Sequence, residues 1–313
     1  MLLFPCLLVG SHTSHAQVTG ASDLLLRDGH HLSIGVRGGV AGYMIDGQFS
    51  GGAMATGYGA SADLVYGYFI TPHWGIRLGM NAIAFTTAYH DKEILSLSSY
   101  IDGYYDSKSL HDANFRIHTP SVNEEYLCYY YEVPIQMAYR SNHWYLNAGV
   151  KLMLPIKVAS TYSYARSSVD YIGSHDLGNY GTFDIDWGNY PAQHGDEVLY
   201  SRNGDNLLNP RFVTAAFETG FRAGCTCGHS WVLGLYFDYA INKVGADTDK
   251  PLIQATRGGY SHQPSVLTSS VIDHLRMVEY GMKIQYEFSV IQRHHWIKKK
   301  RSAQTPVKTY YNH

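Results

Sequence analysis

The sequence lacks long hydrophobic runs, is poor in charge and contains few cysteines. No stretch reaches 18 consecutive apolar residues, which excludes a transmembrane helix. Charged residues make up only 16% of the chain while apolar residues reach 45%, so a largely disordered protein is also excluded. The four cysteines are too few and too irregularly spaced for a disulfide framework or a zinc site. Any membrane crossing must therefore use strands, since only helices and closed barrels satisfy every backbone group in lipid.

Glycine and tyrosine are abundant instead, with 31 and 27 copies. The stretch 279–288 shows one pattern in which they are used. Its even positions are Tyr, Met, Ile, Tyr and Phe, and its odd positions are Glu, Gly, Lys, Gln and Glu. This period of two predicts a strand with one apolar and one polar face. Lipid on one side and a polar lumen on the other is the environment that such a strand fits.

Seven further segments alternate in the same way. They are residues 32–40, 60–70, 74–82, 129–140, 146–157, 213–223 and 231–242. Short turns at 71–73, 141–143 and 225–229 separate some of them. Polar segments at 91–124, 161–208 and 244–272, which we expect to be loops, separate others.

This rhythm predicts an all-β protein, an eight-stranded antiparallel up-and-down transmembrane β-barrel with long extracellular loops. The alternative is a soluble eight-stranded barrel that binds a ligand, in which the apolar faces would point inward. We expect residues 1–16 to be a signal peptide, 17–30 a periplasmic lead-in, 31–288 the barrel and 289–313 a basic, disordered periplasmic tail.

Three motifs resemble the small outer-membrane β-barrel family, which includes OmpA- and OmpX-like barrels and PorT-like proteins. They are Phe-Ile-Thr-Pro-His-Trp-Gly at 69–75, Tyr-Glu-Val-Pro-Ile-Gln-Met at 131–137 and the final strand ending in Phe288. The resemblance implies a cell outer membrane location, with the loops outside and both termini in the periplasm. It also implies contact with outer-membrane lipids, lipopolysaccharide and the barrel-assembly machinery. The family's assembly signal corresponds here to Tyr280, Met282, Ile284, Tyr286 and Phe288. Residues 289–313 are too short for the peptidoglycan-binding domain that some members carry, so we expect none here.

The residues that alternate with the apolar faces carry many charges, and these should point into the lumen. Near balance between acids and bases predicts a salt-bridged network that fills an eight-stranded interior, so we expect no wide pore. The predicted lumen residues are Arg37, Asp63, Arg77, Glu132, Arg140, Lys151, Glu218, Arg222, Asp238, Glu279, Lys283 and Glu287, and Lys157 is expected to join them.

The long connections are the candidate binding regions, because binding residues gather on loops held by a rigid scaffold. Residues 161–208 contain seven acids, two bases and many tyrosines. Such a surface disfavours nucleic acid and suits an extracellular protein or a basic ligand. The residues favoured for this role are Tyr171, Tyr180, Asp184, Asp186, Trp187 and Tyr190.

Catalysis has little support in the sequence, although 17 histidines are present. The local His/Ser pairs at 31 and 33, at 229 and 230, and at 262 and 265 have no acid at a matching spacing. We therefore expect no catalytic residue, no cofactor and no metal. The favoured function is binding, adhesion or envelope structure through the loops. The alternatives are a PorT-like secretion or assembly component, an outer-membrane lipid hydrolase or protease, and a narrow pore.

Overall fold

The computed structural model describes residues 29–46, 53–92, 94–101, 112–141, 143–173, 183–204, 206–224, 229–244, 252–256, 259–263, 265–272 and 274–289. None of the described elements is a helix with the length and hydropathy of a membrane span. The strands are β1 (Gly29–Asp46), β2 (Ala53–Phe69), β3 (Trp74–Asp91), β4 (Ile94–Ile101), β5 (Asp112–Thr119), β6 (Val122–Arg140), β7 (Trp144–Tyr164), β8 (Ser167–Gly173), β9 (Phe183–Tyr190), β10 (Gln193–Ser201), β11 (Phe212–Gly224), β12 (His229–Ala240), β13 (Ile253–Thr256), β14 (Gly259–His262) and β15 (His274–Ser289). A 3-10 helix covers Val266–Thr268.

Eight of these strands close into a ring with the order β1-β2-β3-β6-β7-β11-β12-β15. Every neighbouring pair is antiparallel, and β15 pairs back onto β1 from His31↔Ser289 to Asp46↔His274. The predicted eight-stranded antiparallel barrel is confirmed. We call the end with the connections 70–73 and 141–143 the turn end and the opposite end the loop end.

The side chains alternate across the barrel wall as the sequence predicts. In β12, Trp231, Leu233 and Leu235 are 59%, 47% and 59% exposed, whereas Val232 and Tyr236 are buried. The large apolar side chains of the ring therefore cover its outer surface. This arrangement rules out the alternative barrel with its apolar faces turned inward.

Lys157 is the exception among the predicted lumen residues, because it lies on the outside. The β6–β7 ladder pairs Tyr130 with Pro155 and Tyr129 with Lys157, so Ile156 is an extra residue in β7. One inserted residue reverses which side chains face inward, since the period of a strand is two. Val158 accordingly takes the buried position that simple alternation assigns to Lys157.

The ring strands are longer at the loop end than predicted, and their pattern inverts there. In β3 the inward residues Ile83, Phe85 and Tyr89 are apolar or aromatic, while Thr86 and His90 face outward and are exposed. At the loop end the apolar side chains thus face inward and the polar ones outward, whereas at the turn end the arrangement is reversed. This is the pattern of a wall that meets water, so the strands continue well past the apolar belt.

The polar connections are largely folded, so their prediction as loops is wrong. Residues 94–119 contain the hairpin β4–β5, and residues 167–201 contain β8, β9 and β10. The strands β4, β5, β8 and β9 form a separate four-stranded sheet at the loop end. Residues 252–272 contain the hairpin β13–β14 and the 3-10 helix. Backbone pairing outweighs the Ser-, Asp- and Tyr-rich composition, which carries no clear alternation.

The wall of the barrel has unequal height. β11 and β12 contain 13 and 12 residues, whereas the other six ring strands contain 16 to 21. β11 pairs with β7 only as far as Met153, and β10 takes over the same edge of β7 from Lys157 to Tyr164. We call the sector formed by β11 and β12 the low sector.

Candidate functional site

The interior of the barrel is the most chemically distinctive part of the described chain, and Arg37 lies at its middle. Its guanidinium Nε donates to Asp63 at 3.1 Å, and Nη1 donates to Asp238 at 3.3 Å. Nη2 contacts Glu132, and Glu279 Oε1 is 3.8 Å from Nη1. All five side chains are buried. One cation on β1 thus contacts carboxylates from four other strands.

Two lysines complete this group. Lys151 Nζ lies 2.5 Å from Asp238 Oδ2, and Lys283 Nζ donates to Glu218 Oε2 at 2.9 Å. Lys283 is also 3.8 Å from Asp63. The middle charge cluster therefore consists of Arg37, Lys151, Lys283, Asp63, Glu132, Glu218, Asp238 and Glu279.

A second group surrounds Glu287 near the turn end. The Glu287 carboxylate lies 3.2 Å from Arg140 Nη1, 2.8 Å from Arg222 Nη2 and 3.1 Å from His31 Nδ1. Arg77 links the two groups, since its Nη1 is 3.7 Å from Glu218. The turn-end charge cluster consists of His31, Arg77, Arg140, Arg222, Gln285 and Glu287.

The twelve predicted lumen residues other than Lys157 are all buried inside the barrel. They comprise six bases and six acids, yet the two clusters are not individually neutral. The middle cluster has five carboxylates against three bases, and the turn-end cluster has three arginines against Glu287. The alternation in the sequence predicts that these residues lie on the inner face. Their division into a middle and a turn-end cluster depends on the register of the eight strands, which the sequence does not give.

Three acids of the middle cluster, Glu132, Asp238 and Glu279, offer oxygens within 4.8 Å of one another. Acid clusters of this kind are the usual ligands of hard cations. Here Arg37 contacts all three, and Lys151 approaches Asp238. Basic side chains therefore supply positive charge where a metal ion would otherwise be placed.

Above the middle cluster, towards the loop end, the interior is apolar and aromatic. Tyr43, Phe85, Tyr130 and Phe212 pack with ring centroids 5.6 to 6.5 Å apart. The Tyr43 and Tyr130 hydroxyls are 2.7 Å apart, so the rings bury no unsatisfied hydroxyl. This layer extends the filling of the interior beyond the salt bridges.

The connection between β12 and β15 closes the loop end, a feature that the sequence does not indicate. Residues 265–269 are entirely or almost entirely buried, and so are Leu252, Ile253 and Ile272. We call residues 265–272 the capping segment. It packs into the same apolar cluster as the aromatic rings. The only sequence signal for this burial is the apolar pair Val266-Leu267, and two apolar residues are too few to distinguish a buried segment from a loop.

Glu124 on β6 anchors the capping segment and was also missed. Its carboxylate accepts hydrogen bonds from Ser265 Oγ at 2.6 Å and from the Val266 backbone N–H at 2.7 Å. The hydroxyls of Tyr126 and Tyr164 donate to it as well. Burial raises the pKa of Glu124 above its ordinary value, although these four donors act in the opposite direction.

The predicted pairs of histidine and serine do not form a nucleophile with its base where the structure describes their side chains. His31 Nδ1 is 3.0 Å from Ser289 Oγ and 3.1 Å from Glu287. Serine and carboxylate thus share one ring nitrogen, so the imidazole cannot relay a proton between them. The His229 ring stacks on Tyr286 on the outer surface. Ser265 is engaged by Glu124.

The predicted binding residues lie partly within the described chain. Tyr171 is on β8, and Asp184, Asp186, Trp187 and Tyr190 are on β9. β8 pairs with β9 and with β5, which joins this hairpin to the loop-end sheet. Tyr180 lies outside the described residues, as do Cys225 and Cys227 and the regions 1–28 and 290–313.

The residues proposed as an assembly signal belong to β15. Tyr280, Met282 and Ile284 are exposed on the outer surface, with 47% to 57% of their area accessible. Tyr286 and Phe288 are half-buried, and their rings pack edge to face at 4.7 Å. The outer face of the last strand is thus apolar from Tyr280 to Phe288, whereas His274 and Arg276 lie on it nearer the loop end.

No family model matches the sequence, and no curated protein matches it. Among solved structures, the chain is similar to Ail, the attachment invasion locus protein of Yersinia pestis. The identity is 11%, the match covers 84% of this chain and 100% of Ail, and the TM-score is 0.31. A FadL homologue of Pseudomonas aeruginosa matches with 7% identity over 85% of this chain and 91% of that chain, with a TM-score of 0.20. Scores this low do not indicate a shared function.

Proposed function

We propose that the protein is an integral outer-membrane barrel that conducts no solute and acts through the sheet at its loop end, in binding or adhesion. Its outer surface supports the membrane setting. Trp74, Tyr139 and Trp144 form a row of contacting rings on three neighbouring strands at the turn end, while Tyr129 and Tyr58 lie on the outside further along. Tyr139 and Tyr129 are ten residues apart on β6, which corresponds to about 33 Å along the strand. For a strand tilted by about 40° this is about 25 Å along the barrel axis, the height of a lipid-facing band.

Placing a charge in the middle of this band tests the membrane setting. Leu235→Arg should lower the free energy of unfolding in lipid vesicles by about 2–4 kcal/mol, because arginine at the bilayer midplane is strongly disfavoured. The matched control is Val198→Arg on β10, where the side chain is also exposed but lies beyond the band. We expect that substitution to change the stability by less than about 1 kcal/mol. Equal effects at the two positions would contradict the membrane assignment.

The observation that carries the functional proposal is the filled interior. The turn-end cluster, the middle cluster, the aromatic layer and the capping segment follow one another along the barrel axis. A conducting path would have to break several buried ion pairs, which makes a pore unfavourable. A filled interior favours a function at the surface, and beyond the membrane band the β4-β5-β8-β9 sheet is the largest folded part outside the barrel wall among the described residues.

Removing the outer hairpin of this sheet tests the binding role. Ser167 pairs with Tyr190, so Ser168–Asn189 can be replaced by Asn-Gly to form a two-residue hairpin turn. Every residue proposed for binding except Tyr190 is lost, while β10 remains paired to β7. We expect heat-modifiable gel migration of the barrel to be unchanged. Adhesion of cells carrying the variant should fall to the level of cells that lack the protein.

The control for this experiment replaces the same 22 residues with a Gly/Ser stretch of equal length. It preserves the length of the connection but removes the side chains, so it should lose adhesion equally. Full adhesion by either variant, with normal barrel folding, would refute the loop-end sheet as the functional surface.

A further inference from the structure

Besides the turn-end charge cluster, the turn end of the barrel contains a small pocket, which has no part in filling the interior. It is a partly open cavity of about 20 Å³ inside the ring. Its polar lining comes mainly from Arg77, Arg140, Tyr145, Arg222, Gln285 and Glu287. A cavity of this size accommodates one water-sized group, such as one oxygen of a larger ion that enters from the open side.

The charge around this pocket is unbalanced. Three guanidinium groups face it, and the single carboxylate is Glu287. Glu287 is already shared between Arg140 and Arg222. Arg140 is fully engaged, because it also donates to the Pro72 carbonyl at 3.0 Å and lies 3.5 Å above the ring of Phe69. The pocket therefore retains an excess of positive charge.

Three polar groups at the pocket have no partner among the described residues. They are Arg222 Nε, Gln285 Nε2 and the Tyr145 hydroxyl. The Gln285 amide is oriented by Arg77, whose Nη2 donates to Gln285 Oε1 at 2.9 Å, so its NH₂ group is left available as a donor. Buried donors without an acceptor carry a free-energy cost, which a bound acceptor would remove.

We propose that this pocket is a binding site for an oxyanion of the phosphate class. Arg222 Nε, the Gln285 amide and the Tyr145 hydroxyl would each donate to a phosphate oxygen. Arginine suits such a ligand because its planar N–H groups match phosphate oxygens. A metal ion would instead be repelled by the three guanidinium groups. The phosphate can come from a free ion or monoester in water, or from the headgroup of a lipid at the turn end.

Calorimetric titration of the full chain with inorganic phosphate in neutral detergent tests the site. We expect saturable binding. Tyr145→Phe removes one donor and no ion pair, so it should weaken binding about fivefold. Gln285→Glu keeps the acceptor for Arg77 but replaces the free donor with a negative charge, and it should abolish binding.

Tyr236→Phe is the matched control, since it also removes a buried hydroxyl from the interior, but Tyr236 lies in the middle of the barrel beside Arg37 and Lys151. It should leave phosphate binding unchanged. Titration with vesicles of phosphatidylglycerol or of phosphatidylcholine identifies the source, because a lipid ligand would give a Tyr145-dependent signal with the first only. The proposal fails if neither phosphate nor anionic vesicles bind, if acetate alone binds, or if Tyr145→Phe or Gln285→Glu binds like the unmodified protein.

Discussion

Replacing Arg37 with methionine should lower the free energy of unfolding by about 3–5 kcal/mol, the cost of removing one partner from a buried ion pair. The effect should be this large because Arg37 contacts Asp63, Glu132, Asp238 and Glu279. Methionine has a similar length, so packing changes little while four buried carboxylates lose their shared cation. Urea unfolding in lipid vesicles, followed by tryptophan fluorescence, measures the change.

Lys157→Met is the control for this substitution. It also removes one positive charge from the barrel, but Lys157 is exposed because of the β7 bulge. We expect its effect to stay below about 1 kcal/mol. If Arg37→Met behaves like Lys157→Met, the middle charge cluster does not hold the barrel together.

Replacing Glu124 with alanine should release the capping segment. Four donors lose their acceptor at once, namely the hydroxyls of Tyr126, Tyr164 and Ser265 and the Val266 N–H. Each buried donor left unsatisfied costs about 1–3 kcal/mol, so the loss exceeds what one exposed side chain contributes. Hydrogen exchange should speed up by at least about a hundredfold in residues 265–272 if only about 3 kcal/mol of that total is lost locally.

Glu125→Ala is the control, because Glu125 is the exposed neighbour on the same strand. It should leave exchange in the capping segment unchanged.

The same two variants also bear on conduction, because loss of the cap leaves the charge clusters in place. Currents that rise after Glu124→Ala would show that the cap alone seals the barrel.

The raised pKa of Glu124 gives this anchor a pH dependence of known sign. Burial makes the folded state bind the proton more tightly than the unfolded chain, whose glutamate pKa is about 4.3. The contribution of Glu124 to stability is therefore greatest at acidic pH and falls as the pH rises through the folded pKa. Above that value it is constant. The difference in unfolding free energy between the native chain and Glu124→Gln should follow this curve, and a difference that grows with rising pH would contradict it.

The turn-end halves of the ring strands could be predicted because two environments act on each of them. Lipid selects Leu233 and Leu235 on one face, and the filled lumen selects Asp238 and Lys283 on the other. The difference in polarity between the two faces is then large enough to show, from one sequence, where each strand lies and which of its residues face inward. It also identified the charged residues of the interior, although not how they divide into two clusters.

The loop-end halves could not be predicted, because the contrast reverses. Beyond the band, water replaces lipid outside, and apolar residues such as Phe85 and Tyr89 face inward. When the apolar positions of a strand switch from the outer to the inner face midway, the alternation in the sequence breaks. Such a break looks like the end of the strand. The bulge at Ile156 follows Pro155, a residue that is typical of bulges, but only the pairing with β6 shows which residue is inserted and where the parity changes. Glu124 was placed in a loop by composition, and only tertiary pairing brings Ser265 to it.

Because of the low sector, the barrel wall is lower on one side than on the others. On six sides tall strands enclose the aromatic layer and the capping segment, whereas β11 and β12 end at about the height of Met153. The chain that forms the cap leaves the wall at the top of β12, beside this gap. The cap is thus attached to the shortest part of the wall. Above β11 the edge of β7 is covered by β10, so the wall is lowest at β12, the strand from which the chain of the cap departs.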